Sequence, residues 1–512
     1  MTASEICRWR TLLVGATCVA IAAARSSIDV PEAFSEDLRQ CNPAEDDCGR
    51  ERVCAESDTF KDSDDDGPFQ DFVCLHKQLD DPFSWRDGVA MVLVVLVSGV
   101  GGVAGIGGFS VSLRLLEGLN NFLEREAAVL SNTAALGALS AQFVLNAPRR
   151  FGDEVEYPLI DVELLLAVVP AAVSGILVGE ILRRFMPEII VMIITLIALV
   201  LLAAKVVQRT RHIRRQEREA ATVKRAYQSS LLDEFGSNHS ALTISDRSST
   251  SDLDLMQNSM KPQAELKIPF GSICLLAAFW LLCLIQAIFV EEGFVAAPTC
   301  SLTHWVSLLC IIPVAVIVSI LALCIREGNL LRKDQKVGRG DPTSFTRLST
   351  SSAASFAANF ESEGSVTITE SLNRELMTLW MPCIAASVGF FTGLLKVELG
   401  DLLAPVLVLL QMDCLRLSSL TGAASLFVAS LDFLQFVVRG NMAWAYHGVL
   451  FGCGFLGSAM GRKFAIFAAS TLRRTAVIAV ALSILTLSAL ALTVLRLVDE
   501  DPEWSIGDIC ED

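Results

Sequence analysis

The run Gly101-Gly102-Val103-Ala104-Gly105-Ile106-Gly107-Gly108-Phe109 interrupts the apolar segment 89–100. Five glycines in nine positions cannot continue a regular helix, because each costs about 1 kcal/mol relative to alanine in a helix interior. Where a helix breaks inside a membrane, its freed N–H groups and the positive ends of the half-helices form a ready anion site that needs no fixed cation. Gly101, Gly102, Gly105, Gly107 and Gly108 therefore point to oxyanion binding by backbone, with a ligand brought close because no Cβ intervenes. A second reading stays open, in which these glycines only let helices cross tightly. On the first reading Gly105→Leu or Gly107→Leu abolishes binding, while Gly175 and Gly179, away from the break, tolerate the same change better.

Other residues add side-chain chemistry. Ser131, Asn132 and Thr133 supply hydroxyl and amide donors that can ligate an oxyanion or make interhelical hydrogen bonds. Lys396, Glu398 and Asp401 stand within six residues of an otherwise apolar segment, where ionisable groups are costly and are functional or mutually paired. Lys396 either binds the anion or neutralises Glu398 or Asp401. Asp432, three residues before Gln435 in an apolar span, is a candidate proton carrier or a partner for Lys396. His304 and His447 lack a partner pattern, no Cys/His cluster has zinc-like spacing, and no nucleophile motif or phosphate loop is present. The chain reads as a non-enzyme without metal or cofactor.

These residues need a membrane scaffold. With 52% hydrophobic residues and a mean hydropathy of +0.51, the chain is an all-α polytopic membrane protein embedded in a lipid bilayer. The net charge of -16 gathers largely in the segments 26–85 and 499–512, and gives no sign of nucleic-acid binding. Apolar spans run over 127–146, 159–181, 187–207, 268–290, 304–325, 418–438, 442–461 and 475–497, with broken segments at 86–118 and 378–411. The pattern of broken segment followed by three helices occurs twice, at 86–208 and 378–497. Between the copies lie a polar loop 209–267, a helix pair 268–325 and a second polar loop 326–377, both loops expected to be disordered and cytosolic.

The basic cluster Arg209, Arg211, Arg214, Arg215 and Arg218 decides the topology. If 86–118 is a re-entrant hairpin, three crossings place this cluster in the cytosol, as the positive-inside bias requires. The second copy then starts from the opposite side. Two copies entering from opposite faces form an inverted repeat, the architecture of secondary transporters with a site at the midplane.

Residues 1–25 carry Arg8 and Arg10, an apolar stretch and small residues at cleavage-like spacing, and read as a signal peptide or an uncleaved anchor. The region 26–85 is then lumenal or extracellular. That suits Cys41, Cys48, Cys54 and Cys74 as disulfide formers in one of three connectivities. Asp62-Ser63-Asp64-Asp65-Asp66-Gly67 resembles the opening of a calcium loop, but Val73 stands where the bidentate glutamate belongs, so a solvated acidic turn is the better reading. The segment 498–512 reads as an acidic lumenal tail, and the chain as a multi-pass protein of the plasma membrane or an endomembrane.

The glycine run 101–109, followed by Glu126-Ala127-Ala128-Val129-Leu130-Ser131-Asn132, Pro158-Leu159-Ile160-Asp161, Pro170 and Pro187-Glu188, resembles the first half of the TauE/SafE sulfite exporter family. Gly393-Leu394-Leu395, Pro405, the small-residue run 420–425, Gln435, Gly440 and Gly461 resemble its second half. The resemblance covers the membrane region only. It implies carriage of sulfite or small organosulfonates without ATP hydrolysis. Lys396-Val397-Glu398-Leu399-Gly400-Asp401 departs from the second glycine-rich run of that family, which puts the substrate, and transport itself, in question.

Overall fold

The computed structural model describes residues 52–56, 72–76, 84–120, 122–151, 157–237, 270–291, 309–337, 380–410, 412–438, 444–470 and 476–499. Among the described residues twelve helices carry the fold: α1 (Trp85–Ala104), α2 (Phe109–Asn120), α3 (Glu124–Asn146), α4 (Val162–Phe185), α5 (Glu188–Ser237), α6 (Phe270–Glu291), α7 (Ile311–Val337), α8 (Trp380–Leu395), α9 (Leu399–Leu409), α10 (Cys414–Val438), α11 (Trp444–Ser470) and α12 (Ala476–Asp499). The strands among the described residues are two short antiparallel pairs, β1 (Arg52–Glu56) with β2 (Phe72–His76), and β3 (Arg150–Phe151) with β4 (Tyr157–Pro158). Eight helices, α1, α3, α4, α5, α7, α10, α11 and α12, are long and apolar enough to cross a membrane.

Local sequence sets the ends of the first broken segment. Ser84 caps α1 in a capping box with Asp87, and Gly105 ends the helix in the left-handed region at φ 89°. The chain then turns back. Asn120, the last residue of α2, donates to Asp87 Oδ1 at 2.5 Å, and Tyr446 at the start of α11 donates to the same oxygen at 3.3 Å. Although α1 alone is long enough to span, both ends of the α1–α2 hairpin therefore lie at one end of the bundle.

At the other end, Asp161 caps α4 through Leu164 N and pairs with Arg416 at 2.9 Å and Arg326 at 3.8 Å. Helix α3 runs from the Asp87 end to this end, where Asn146 meets Arg462, whereas α10 begins here with Arg416 and Ser418. The corresponding helices of the two copies are thus antiparallel, as an inverted repeat demands. Packing follows the same pseudo-twofold rule. In each copy the first arm of the broken segment crosses the second of the three helices that follow the break in the other copy: α1 on α11 through Gly457 and Gly461, and α8 on α4 through Gly175, Gly179, Gly389 and Gly393. Each contact brings backbones together across a small-xxx-small spacing.

Two expectations are corrected. Helix α5 continues through the supposed loop to Ser237, and α7 continues to Val337, so 209–237 and 326–337 are helix rather than disordered chain. For α5 the reason is partly local: 209–235 contains no glycine or proline and is rich in Arg, Glu and Ala, which are strong helix formers even when exposed, and Thr210 and Glu217 tie its first turns to α12. The signal peptide, Cys41, Cys48, the acidic turn 62–67, His304, loop segments 238–269 and 338–379, and the tail 500–512 lie outside the described residues.

Candidate functional site: an amide cradle between two broken helices

The two breaks meet, and charge bridges them. Gly107 N donates to Glu398 Oε1 at 3.1 Å and Phe109 N donates to Glu398 Oε2 at 3.2 Å, while the Ser110 hydroxyl donates to Asp401. One carboxylate thus occupies the backbone donors at the start of α2, the geometry in which a helix terminus holds an anion. The turn that aims these donors depends on glycine at Gly105 (φ 89°) and Gly108 (φ 82°). Gly107 has no room for a side chain, since a Cβ would lie 2.7 Å from Glu398 Oε1 and 2.8 Å from Ala135 Cβ.

The second break is built differently. Lys396 takes the left-handed conformation at φ 50°, the place in the hairpin that Gly105 fills in the first copy. Its side chain is exposed to a cavity of about 550 Å³ bounded by both breaks, α3, α4, α5, α10 and α12. Four cations line that cavity, Arg114, Arg183, Arg184 and Lys396, against five carboxylates, Glu124, Glu180, Glu398, Asp401 and Asp432. Thr195, Thr392, Thr486 and Asn132 add neutral polar groups.

The structure distributes the sequence-derived candidates unevenly. Gly107, Gly108, Lys396, Asn132 and Asp432 come together at the cradle and cavity. Gly101 accepts from Gly105 N and Ile106 N, Gly102 lies against Ser458, and Gly105 lies against Ser418, so these three serve the turn and the close crossing. Ser131 donates to Ala127 O and Ala128 O of its own helix, Asn132 Nδ2 reaches Ala429 O, and neither Ser131 nor Gln435 lines the cavity. Gly175 and Gly179 are not the tolerant positions expected, because a Cβ at either would run into the backbone of α8. His447 has a partner, Thr133 Oγ1 at 2.7 Å.

Sequence reasoning flagged Glu398 only as a neighbour for Lys396, and its true contact is 291 positions away in the chain. It also missed Arg462. Arg462 is 0% exposed and donates to Asn146 Oδ1 at 2.7 Å, Ser418 Oγ at 2.7 Å and Ser419 Oγ at 2.8 Å. The signal was the basic pair Arg462-Lys463 directly after Gly461, between apolar stretches. Arg183 and Arg184, in the last turn of α4, face the polar cavity. Comparison with protein-family models, with curated proteins and with solved structures returns no match.

Proposed function

We propose that this chain is a secondary carrier that moves a small oxyanion, sulfite or a small organosulfonate, across a membrane. The observation that carries the reading is the amide cradle at Gly107 and Phe109, which holds a carboxylate at the edge of a polar cavity between two oppositely inserted hairpins. An inverted repeat around one central site is the arrangement that alternating access uses. The resemblance of both glycine-bearing halves to TauE/SafE exporters supplies the substrate class. In this reading the region 26–85 and the acidic tail are lumenal or extracellular, and the Arg214 helix is cytosolic.

One feature favours a competing reading. Because Glu398 already fills the cradle, a receptor or scaffold that has lost transport would present the same geometry. Labelled sulfite in proteoliposomes separates them: saturable uptake accelerated by sulfite inside the vesicle supports the carrier, current without counterflow indicates an anion channel, and no flux in well-folded protein supports the scaffold.

A further inference from the structure

We propose that Glu398 is a tethered competitor for the transported anion, released from the amide cradle by a proton, so that anion and proton move together. The proposal rests on the carrier reading and adds its coupling ion. Three observations lead to it. First, both carboxylate oxygens of Glu398 are engaged by backbone donors of the other repeat, in the position where an oxyanion's two oxygens would sit. Secondly, Glu398 borders the cavity, so its place is open to exchange with a ligand. Thirdly, hydrogen-bonding capacity is left over beside the break: Ser425 Oγ, on a residue 1% exposed, and Gln142 Oε1, on a residue 0% exposed, have no partner among the described residues. Ser425 Oγ lies 2.8 Å from where a Cβ on Gly400 would stand, at the contact of Gly400 with Ile106, and Gln142 Nε2 donates to Ile106 O at 3.0 Å.

The charge balance gives the sign. On α9, Asp401 follows Glu398 and is held by Ser110, and Lys396 precedes it. From the packed elements, Arg114 on α2, Glu124 on α3, Glu180, Arg183 and Arg184 on α4, and Asp432 on α10 share the cavity, while α5 and α12 offer only threonine hydroxyls among their polar groups. With five carboxylates against four cations, the cavity already carries a formal excess of negative charge, and an anion entering beside an ionised Glu398 would add to it in a low-dielectric setting. Protonation of Glu398 removes one negative charge and weakens its hold on the amides, because a neutral acceptor binds N–H groups less strongly than a carboxylate. The Gly107 and Phe109 N–H groups pass to an anion oxygen, with no covalent bond made or broken. On the opposite face the anion leaves, Glu398 gives up its proton and returns to the cradle. A monovalent sulfonate moved with one proton is an electroneutral cycle.

The test uses methanesulfonate, which stays anionic where sulfite itself takes up protons. Binding to the purified full chain and uptake into proteoliposomes are measured at about pH 6.5 and about pH 9.5. Wild type should bind at least about tenfold more tightly at the lower pH, and at the higher pH, where Glu398 starts ionised, one proton should be taken up per anion bound. Glu398→Gln should bind with the same affinity at both, and Glu219→Gln, an exposed position on α5 away from the cavity, should keep the wild-type slope. A wild-type affinity independent of pH, a Glu398→Gln protein that retains the slope, or no anion binding by any variant would overturn the proposal. If Glu398→Gln does not fold, the wild-type pH series and the proton count decide alone. Binding that follows the pattern without flux would sink the carrier reading and leave the competitor role standing. Flux indifferent to pH would do the reverse.

Discussion

Gly175→Ala should loosen the crossing of α4 and α8, and the structure sets the scale. The added Cβ would run into the Ala386 carbonyl and stand 2.7 Å from Phe390 N, whereas ordinary contact begins at 3.4 Å. The two backbones must part by at least about 0.7 Å, more at the Ala386 carbonyl, and a gap of that size forfeits a quarter to a half or more of the attraction of each atom pair across it. Gly179, Gly389 and Gly393 interlock on the same seam, so the whole crossing is affected rather than one contact. Overpacking of this kind costs about 1–3 kcal/mol, and Gly175→Leu should prevent assembly. Gly118 on α2 is the control, with no heavy atom within 4 Å of its added Cβ. Gly118→Ala should therefore gain about 0.5–1 kcal/mol from helix propensity alone. Thermal unfolding in one detergent, followed by size-exclusion chromatography of the two variants and wild type, reads both signs. A Gly175→Ala protein that melts with wild type would refute the reasoning, most plainly if Gly118→Ala were the one destabilised.

Lys396→Gly should stabilise the hairpin by about 0.5–1 kcal/mol, because φ 50° costs an L side chain what glycine avoids, while Lys396→Ala keeps that cost; equal melting of the two variants would dismiss the backbone account. Asn146→Leu removes the acceptor of Arg462 Nε and should cost about 1.5–3 kcal/mol, whereas Asn146→Asp, which supplies a counter-charge, should fold at least as well as wild type. The same melting assay checks both. Cys54 and Cys74 are direct partners in the β1–β2 register, so peptide mapping of non-reduced protein should find a Cys54–Cys74 bridge, leaving Cys41 with Cys48; a Cys41–Cys54 peptide would contradict the register.

Composition and periodicity were enough to find the apolar helices, because hydrophobicity over about 20 positions is dictated by the bilayer itself, but not always their ends: α7 begins at Ile311 and α11 runs on to Ser470. The glycine run announced the first break for an equally local reason, since five glycines in nine residues deny the helix its side chains and its conformational economy. Charge parity gave the inverted repeat, which the antiparallel α3 and α10 bear out. Length of helix was misread where polar residues carried it: 209–237 is polar, yet helix propensity, helped by contacts of Thr210 and Glu217 with α12, keeps it helical.

Only the tertiary structure decided who meets whom. Nothing near Glu398 in the chain says that its oxygens sit on Gly107 and Phe109, because that pairing depends on how two hairpins inserted from opposite ends come to face each other. Nor does the sequence distinguish Gly107, whose amide binds a carboxylate, from Gly102, whose missing side chain admits Ser458. Both are glycine for want of space, and what fills the space is a property of the neighbouring copy. The sequence determined where the backbone must break; the packing of the two repeats decided that an acid of this same chain stands in the opening.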